Sequence, residues 1–120
     1  MPVRAIRGAT QLVADDRAEM AEAVVELLTE MFGRNDLSTD DLISIVFTST
    51  SDLHAEFPAA AARELDLGDV PLICAQELDV DGALPRVVRV MAHVETPRAR
   101  SEVVHVYLRG AEVLRRDLAQ

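Results

Sequence analysis

The clearest pattern of apolar positions lies in residues 15–35, DDRAEMAEAVVELLTEMFGRN. Its apolar side chains recur at helical spacing, which predicts a helix with one face lying on a sheet. Those side chains are Met20, Val24, Leu27, Leu28 and Met31. Asp15 or Asp16 can cap the start of this helix, and Gly33 can end it. A second, shorter helix is predicted in residues 57–68, with Pro58 in its first turn and Gly68 just beyond its end.

Between and after these helices the chain carries short runs rich in β-branched residues, which are typical of strands. The predicted strands cover residues 2–8, 42–50, 70–76, 86–95 and 102–108, and a further short strand begins the tail at residues 112–120. Residues 79–84 are predicted to form a loop with Gly82 in its turn.

This order of elements predicts an α+β fold: a mixed β-sheet of about five strands with two helices on one face. The 120 residues suffice for a single domain with one core, covering residues 1–120. The second face of the sheet is also apolar, with valine, methionine and alanine. In a chain this small, such a face is expected to pack against further copies of the chain.

Composition narrows the classes of function. Hydrophobic residues make up 49% and charged residues 28%, with a formal net charge of −9. That charge argues against binding nucleic acid or an anionic membrane, although a small anionic ligand responds only to the local field. The sole cysteine, Cys74, excludes an intrachain disulfide and suits a reducing cytoplasm. Neither a signal peptide nor a membrane span is visible, so the expected location is cytoplasmic.

Two arginines interrupt apolar strand patterns. Arg89 lies at the centre of RVVRVMAHV, and Arg7 follows Val3 and Ala5 on one strand face. A guanidinium on a buried strand is costly unless an anion meets it. Each arginine alone is readily explained by an ion pair at a sheet edge or subunit contact. Together, Arg7 and Arg89 favour the binding of an anion, because the guanidinium fork suits carboxylates.

Other candidate residues carry two interpretations each. Glu77 is either a salt-bridge partner or the group that orients an arginine and accepts a ligand hydroxyl. Cys74 is more simply a small buried hydrophobe, and Phe57 a core side chain. Tyr107 suits the core and ligand contact equally well. The three histidines lack metal-ligand spacing, and no nucleophile or phosphate-loop motif occurs. The residues thus indicate a pocket for a small organic anion, without identifying a reaction.

Several motifs together resemble one family. IRGAT, DLHAEFPAAAARE, CAQELDVDGALPRVVRVM, HVYL and VLRRDL occur in the order found in the trimeric, pseudo-α/β-barrel class of chorismate mutases. The resemblance covers residues 3–118, nearly the entire chain. It implies the rearrangement of chorismate, a dicarboxylate, to prephenate in aromatic amino-acid biosynthesis. It also implies a homotrimer with active sites between subunits, and neither cofactor nor metal.

The resemblance further implies a role for each matching residue. Arg89 would donate to the ether oxygen of the substrate, Arg7 and Tyr107 would hold a carboxylate, and Glu77 would accept from the ring hydroxyl. The residues implied to complete the substrate site are Cys74 beside Glu77, then Phe57, Ala59, Arg63 and Ile73 from a neighbouring subunit, and Leu114 and Arg115 from the C-terminal end. This chain departs from some relatives at Ala60, where they carry a charge, and at Arg116, where they carry proline.

Two other interpretations stay open at this stage. The chain could be a trimeric α+β protein that binds a small carboxylate, or a deaminase-like protein, with arginines in clefts between subunits. Such a protein would not need Glu77 beside Arg89. Alternatively, the arginines could be structural ion pairs in an interface without catalysis.

Overall fold

A computed structural model describes residues 1–114 of the chain. Its strands are β1 (Val3–Gln11), β2 (Leu42–Ser49), β3 (Leu72–Gln76), β4 (Val87–Glu95) and β5 (Val106–Leu108). Its α-helices are α1 (Arg17–Arg34) and α2 (Pro58–Ala62). Short 3₁₀ helices cover Thr39–Asp41, Arg100–Glu102 and Arg109–Leu114. None of the helices in this described part is long and apolar enough to cross a membrane.

The strands form one mixed sheet in the order β3-β2-β4-β1-β5. Strand β4 lies at the centre and pairs antiparallel with both β1 and β2. The two outer strands are added in parallel, β5 along β1 and β3 along β2. The predicted α+β class and mixed five-stranded sheet are therefore confirmed.

Helix α1 begins where its sequence predicts. The Asp16 carboxylate accepts a hydrogen bond from the backbone N–H of Glu19, which satisfies one of the free donors of the first turn. The predicted apolar stripe is buried on the sheet, with Met20, Val24, Leu27, Leu28 and Met31 at most 1% exposed. Gly8 of β1 permits this close approach, because a Cβ at that position would collide with the Met31 sulfur.

The sheet has a closed face and an open face, which differ in what covers them. The closed face lies under α1 and α2 and includes Ile6, Phe47 and Val88, all fully buried. The open face carries the alternate residues of the same strands, among them Arg7 and Arg89, and within residues 1–114 the 3₁₀ helix Arg109–Leu114 covers it at the β1–β5 side.

The largest differences from the sequence-based prediction lie near the C-terminus. The strand predicted over 102–108 forms a strand only from Val106, and a 3₁₀ helix over 109–114 replaces the predicted connection and the start of the strand predicted from residue 112. The β1–β5 pairing covers only Gly8 to Thr10, and just before it the Arg7 backbone N–H donates to the His105 side chain instead of to a strand carbonyl. At α1, the helix continues through Gly33 to Arg34, with Asn35 as its cap. Helix α2 ends at Ala62, earlier than predicted.

Candidate active site

A cavity of about 260 Å³ opens on the open face of the sheet. Two guanidinium groups, a phenol and an aliphatic side chain border it: Arg7, Arg89, Tyr107 and Leu114. The floor is made by strand residues Gly8, Ala9, Val46, Thr48, Val90 and Met91. The structure therefore brings four of the sequence-predicted site residues to one cavity, drawn from β1, β4, β5 and the 3₁₀ helix that follows.

Strand register explains this convergence. Arg89 of β4 lies opposite Ala9 of β1 on one side and Thr48 of β2 on the other. Ala9 is in turn opposite Tyr107 of β5. Paired residues of adjacent strands project to the same face, so these side chains must share the open face. The small side chain of Ala9 leaves space between Arg89 and Tyr107.

Glu77 orients Arg89. The Arg89 Nε donates to Glu77 Oε1 at 3.1 Å, and the Thr48 hydroxyl donates to Glu77 Oε2 at 2.8 Å. The Glu77 side chain is 16% exposed, so this carboxylate is held by two partners in a largely covered position. Among residues 1–114, Glu77 is the only ion-pair partner of Arg89, which leaves the terminal nitrogens of its guanidinium for a ligand.

Arg89 itself is not buried within one chain. Its side chain is 48% exposed, in contrast to the expectation of a guanidinium enclosed on a buried strand. Within residues 1–114, no element covers Arg89 on this face, although apolar side chains line the cavity beside it. Further covering of Arg89, for example by a bound ligand, would lower the local dielectric and strengthen an Arg89–anion contact.

Tyr107 is positioned to donate a hydrogen bond. Its residue is 8% exposed, and burial raises the pKa of the phenol above its usual value, while the nearby Arg7 and Arg89 charges oppose this shift. The net direction is upward, so the hydroxyl stays protonated throughout the neutral range. Tyr107 can thus serve as a neutral donor to a carboxylate beside the two guanidinium groups.

His105, which sequence reasoning did not assign to the site, holds the backbone of Arg7. Its Nδ1 accepts a hydrogen bond from the Arg7 backbone N–H at 2.9 Å. This N–H lies one residue before the β1–β5 ladder, which starts at Gly8, so the imidazole replaces a backbone carbonyl there. Burial first, and then the Arg7 charge, lower the pKa of His105, which favours the neutral ring that can accept this bond.

The structure places Cys74 on the other side of β3 from Glu77. Cys74 pairs with Phe47 of the core, and its sulfur accepts from the Ala59 backbone N–H at 3.4 Å. The thiol is therefore directed toward the start of α2, on the closed side of the sheet, rather than lying beside Glu77 at the arginines. Substrate contact by Cys74 stays a prediction.

The remaining predicted residues do not converge on the arginine cavity within one chain. Phe57 lines a different cavity of about 340 Å³ together with Cys74, and Arg63 lines a third of about 400 Å³. Phe57 is 70% exposed and Ile73 61% exposed, which is unusual for large apolar side chains. Ala59, in α2, is half-buried. Arg115 lies outside the described residues.

Thr48 is a second residue that sequence reasoning missed. It is a polar position within the apolar run LISIVFTS of β2, on the opposite face from the core residue Phe47. That interruption of the apolar pattern was the available signal, although only the sheet register reveals its partner. Within residues 1–114, no group of three or more histidine, cysteine or acidic residues is arranged to hold a metal ion.

Comparison with known proteins gives a consistent result at the level of family, relatives and fold. The family model described as chorismate mutase type I matches residues 3–118. Chorismate mutase AroH of Bacillus subtilis is 40% identical over 120 residues, covering 99% of this chain and 94% of that protein. Its counterpart from Thermus thermophilus is 44% identical, covering 97% and 96%. A solved structure of chorismate mutase from Clostridium thermocellum superposes with a TM-score of 0.89 at 46% identity, covering 91% of this chain and 97% of that one.

Proposed function

The chain belongs to the type I chorismate mutases, and on that premise we propose that its arginine cavity rearranges chorismate to prephenate. The enzyme is an isomerase: an ether C–O bond of the substrate breaks while a C–C bond forms within the same molecule. Atoms and charge are conserved, so the reaction requires neither a nucleophile nor a redox partner. The pathway it serves is aromatic amino-acid biosynthesis.

The observation that carries the assignment of roles is the Arg89–Glu77 contact of 3.1 Å beside a cavity that also holds Arg7 and Tyr107. We propose that Arg89 donates from its terminal nitrogens to the ether oxygen, which gains negative charge as the C–O bond breaks. A charged donor already held in place stabilises this transition state by several kcal/mol, about 10²–10³ in rate. Glu77 keeps Arg89 in register and accepts from the substrate's ring hydroxyl.

The substrate carries two carboxylates, and the cavity offers matching donors. Arg7 and Tyr107 are proposed to hold a carboxylate, with Leu114 closing the apolar side. Within residues 1–114, no carboxylate pairs with the Arg7 guanidinium, so an incoming anion need not displace an internal partner. By fixing these groups, the site selects the folded form of chorismate in which the two reacting carbons are close.

The direct test is the consumption of chorismate by purified protein, followed through loss of the ring-diene absorbance, with prephenate identified as product. Saturable conversion without added cofactor is the expected result. Folded protein that leaves chorismate unchanged would contradict the proposal, and would favour a protein that only binds small carboxylates. Loss of activity in Glu77→Gln, with unchanged melting temperature, would separate the role of this carboxylate from a structural ion pair.

We also propose that the active protein is a homotrimer with each site shared between two subunits. In one chain, Arg63 and Phe57 lie at cavities other than that of Arg89. The exposed apolar side chains Phe57 and Ile73, together with the open face of the sheet, supply surface for subunit contact. On this arrangement Phe57, Ala59, Arg63 and Ile73 reach the arginine cavity of a neighbouring copy, and Arg115 of the C-terminal end contributes to closure.

A mixing experiment tests the shared site. Arg89→Ala and Arg63→Ala are each expected to be almost inactive, but subunits co-expressed in equal amounts should form about a quarter of sites with both arginines intact. The matched control is Arg89→Ala mixed with Arg7→Ala, two residues from the same side of the site, which cannot complement each other. Equal behaviour of the two mixtures, or a monomer by light scattering, would contradict the shared site.

The proposed location is the cytoplasm, and the proposed organisation is a single domain over residues 1–120. The lone Cys74 supports a reducing compartment, because no intrachain disulfide is possible. Fractionation of cells that express the tagged chain would test the location. Recovery of the protein with the membrane or secreted fraction would contradict it.

A further inference from the structure

Arg109 is held by three glutamates of helix α1. Its guanidinium nitrogens lie 3.5 Å from Glu19, 3.3 Å from Glu22 and 3.2 Å from Glu26. These acids are spaced along successive turns, so one side chain spans more than a turn of the helix. The Arg109 side chain is 25% exposed, and Glu19 18% exposed. Ion pairs that are partly covered and form a network hold their geometry better than isolated surface pairs.

The Glu19 carboxylate is held in place by other contacts besides that with Arg109. Its two carboxylate oxygens accept from the backbone N–H groups of Val13 at 2.6 Å and Ala14 at 3.0 Å. The same carboxylate therefore joins the end of β1, the start of α1 and Arg109. Movement of Arg109 away from α1 would break its ion pairs with Glu19, Glu22 and Glu26.

The backbone at Arg109 is in a conformation that requires such support. Its φ angle is +55°, in the left-handed region that L-residues other than glycine, asparagine and aspartate seldom occupy. This turn redirects the chain immediately after β5, between Tyr107 and the 3₁₀ helix. The contacts with α1 offset the unfavourable backbone conformation of this residue.

The turn connects directly to the arginine cavity. Two residues before it, Tyr107 borders the cavity, and five residues after it, Leu114 does as well. Between them, Ala111 is fully buried and packs in a cluster with Ala9 and Tyr107. The segment 109–114 is therefore a short wall whose position depends on the direction of the chain at Arg109.

We propose that Arg109 is a positioning residue for the reaction: its contacts with Glu19, Glu22 and Glu26 hold segment 109–114 so that Tyr107 and Leu114 border the substrate. This inference rests on the proposed function of the cavity. Arg109 touches no reacting atom in this role. Its loss acts through the geometry of substrate binding, and is therefore expected to raise KM more than it lowers kcat.

The test compares Arg109→Gln with Arg109→Gly. Both remove the contacts with the glutamates, but only glycine adopts the positive φ without strain. Both variants are expected to show about a fivefold lower kcat/KM, mainly through KM, because a misplacement of about 1 Å can cost about 10²-fold and a smaller displacement costs less. Arg109→Lys, which keeps the charge but not the fork, is expected to recover part of the loss.

The control is Arg34→Gln, which removes another arginine–glutamate pair on α1, between Arg34 and Glu30 at 3.2 Å. The Arg34 and Glu30 side chains are each 45% exposed, and neither lines the arginine cavity. Kinetics close to wild type are therefore expected for Arg34→Gln. Salt provides a second measurement. Raising ionic strength should lower kcat/KM more in the wild type than in Arg109→Gln, because only the wild type has these contacts to screen.

A purely structural role would lower the melting temperature of Arg109→Gln and leave the kcat/KM of folded protein unchanged, which would overturn the proposal. Amide hydrogen exchange gives a measurement independent of activity. Faster exchange at residues 110–114 in both Arg109→Gln and Arg109→Gly is expected, and unchanged exchange there would also overturn it. Wild-type protein that fails to convert chorismate would instead contradict the proposed function, and the exchange result would still decide whether Arg109 holds the segment.

Discussion

The closed and open faces of the sheet are made from alternate residues of the same strands, yet they differ in almost every physical property. Ile6 and Val88 on the closed face are fully buried under the helices. Their immediate neighbours Arg7 and Arg89 are exposed on the open face. The closed face has the packing of a protein core, whereas the open face presents two cations to a cavity.

Within each strand, the closed-face residues therefore contribute mainly to stability and the open-face residues mainly to the chemistry. Burial of the aliphatic side chains supplies the favourable free energy of folding, at roughly 25 cal/mol per Å² of apolar surface. The open face can then carry guanidinium donors toward the cavity, because Arg7 and Arg89 are not part of the buried core. Substitutions of adjacent residues should therefore have separable effects on stability and on activity.

The largest expected effect is on catalysis, from Arg89→Ala. We expect kcat/KM to fall by about 10³-fold, since a charged donor to the developing oxyanion is lost. The melting temperature should change little, because the side chain is 48% exposed and packs on the open face. Arg34→Ala, at an exposed position of α1, is the control for loss of an arginine. Near-normal turnover by Arg89→Ala would show that the open face does not carry the chemistry.

The largest expected effect on stability comes from the neighbouring strand, at Ile6→Ala. Truncation of this fully buried side chain should lower the free energy of unfolding by about 2–5 kcal/mol. The kcat of the remaining folded protein should stay close to wild type. Urea unfolding at a fixed protein concentration measures the first quantity, because subunit association also affects stability. A loss of kcat at unchanged stability would show that the two faces are not independent.

A smaller effect is expected at Thr10, on the closed face of β1. Its hydroxyl is buried and has no hydrogen-bond partner among residues 1–114. Replacement by valine, of similar shape, should raise the free energy of unfolding by about 0.5–1 kcal/mol. The matched control is Thr48→Val on the open face, where the lost hydroxyl donates to Glu77. Destabilisation by Thr10→Val would indicate that this hydroxyl does have a partner in the assembled protein.

The smallest expected effect is on the pH dependence of stability, through the protonation of His105. Its pKa lies below the ordinary value of 6.5, first because of burial and then because of the Arg7 charge. The neutral ring is favoured in the fold, so this contribution to stability is fully present above about pH 6.5. It is lost as the pH falls through the lower, folded-state value. Arg4 and Arg100 line the cavity next to His105.

Thermal melting between pH 7.5 and 5 would measure the effect, with His105→Gln as the comparison because its amide oxygen can accept without titrating. We expect a shallower pH dependence in His105→Gln than in the wild type. Identical profiles would show that protonation of His105 does not weaken its contact with Arg7.

Much of the fold and of the site follows from local patterns in the sequence. The helical spacing of the α1 apolar residues and the cap at Asp16 predicted that helix correctly. The arginines within apolar alternations singled out Arg7 and Arg89, which border one cavity, but the expected burial of Arg89 was wrong, because its side chain is 48% exposed. These features depend on residues close together in the sequence, where periodicity and capping determine the outcome.

The features that the sequence did not predict depend on contacts between distant residues. The turn at Arg109 requires a left-handed arginine, which no local preference favours, and its partners lie more than eighty positions earlier in α1. Likewise, His105 continues a strand pattern in the sequence, but its side chain takes the place of a ladder partner for Arg7. The separation of Arg63 and Phe57 from the arginine cavity also follows only from the three-dimensional arrangement.

The alternation of faces restricts how chains of this fold can change in length over evolution. An insertion of one residue in β4 ahead of Arg89, unless a β-bulge absorbs it, would shift every later side chain to the opposite face, with Arg89 in the core and valine toward the ligand. Such a change would damage folding and catalysis together, and no single substitution could repair it. The exposed loop between β3 and β4, with Gly82 at a φ of +81°, has no such constraint. Length differences among functional relatives should therefore accumulate there and be absent from β1 and β4.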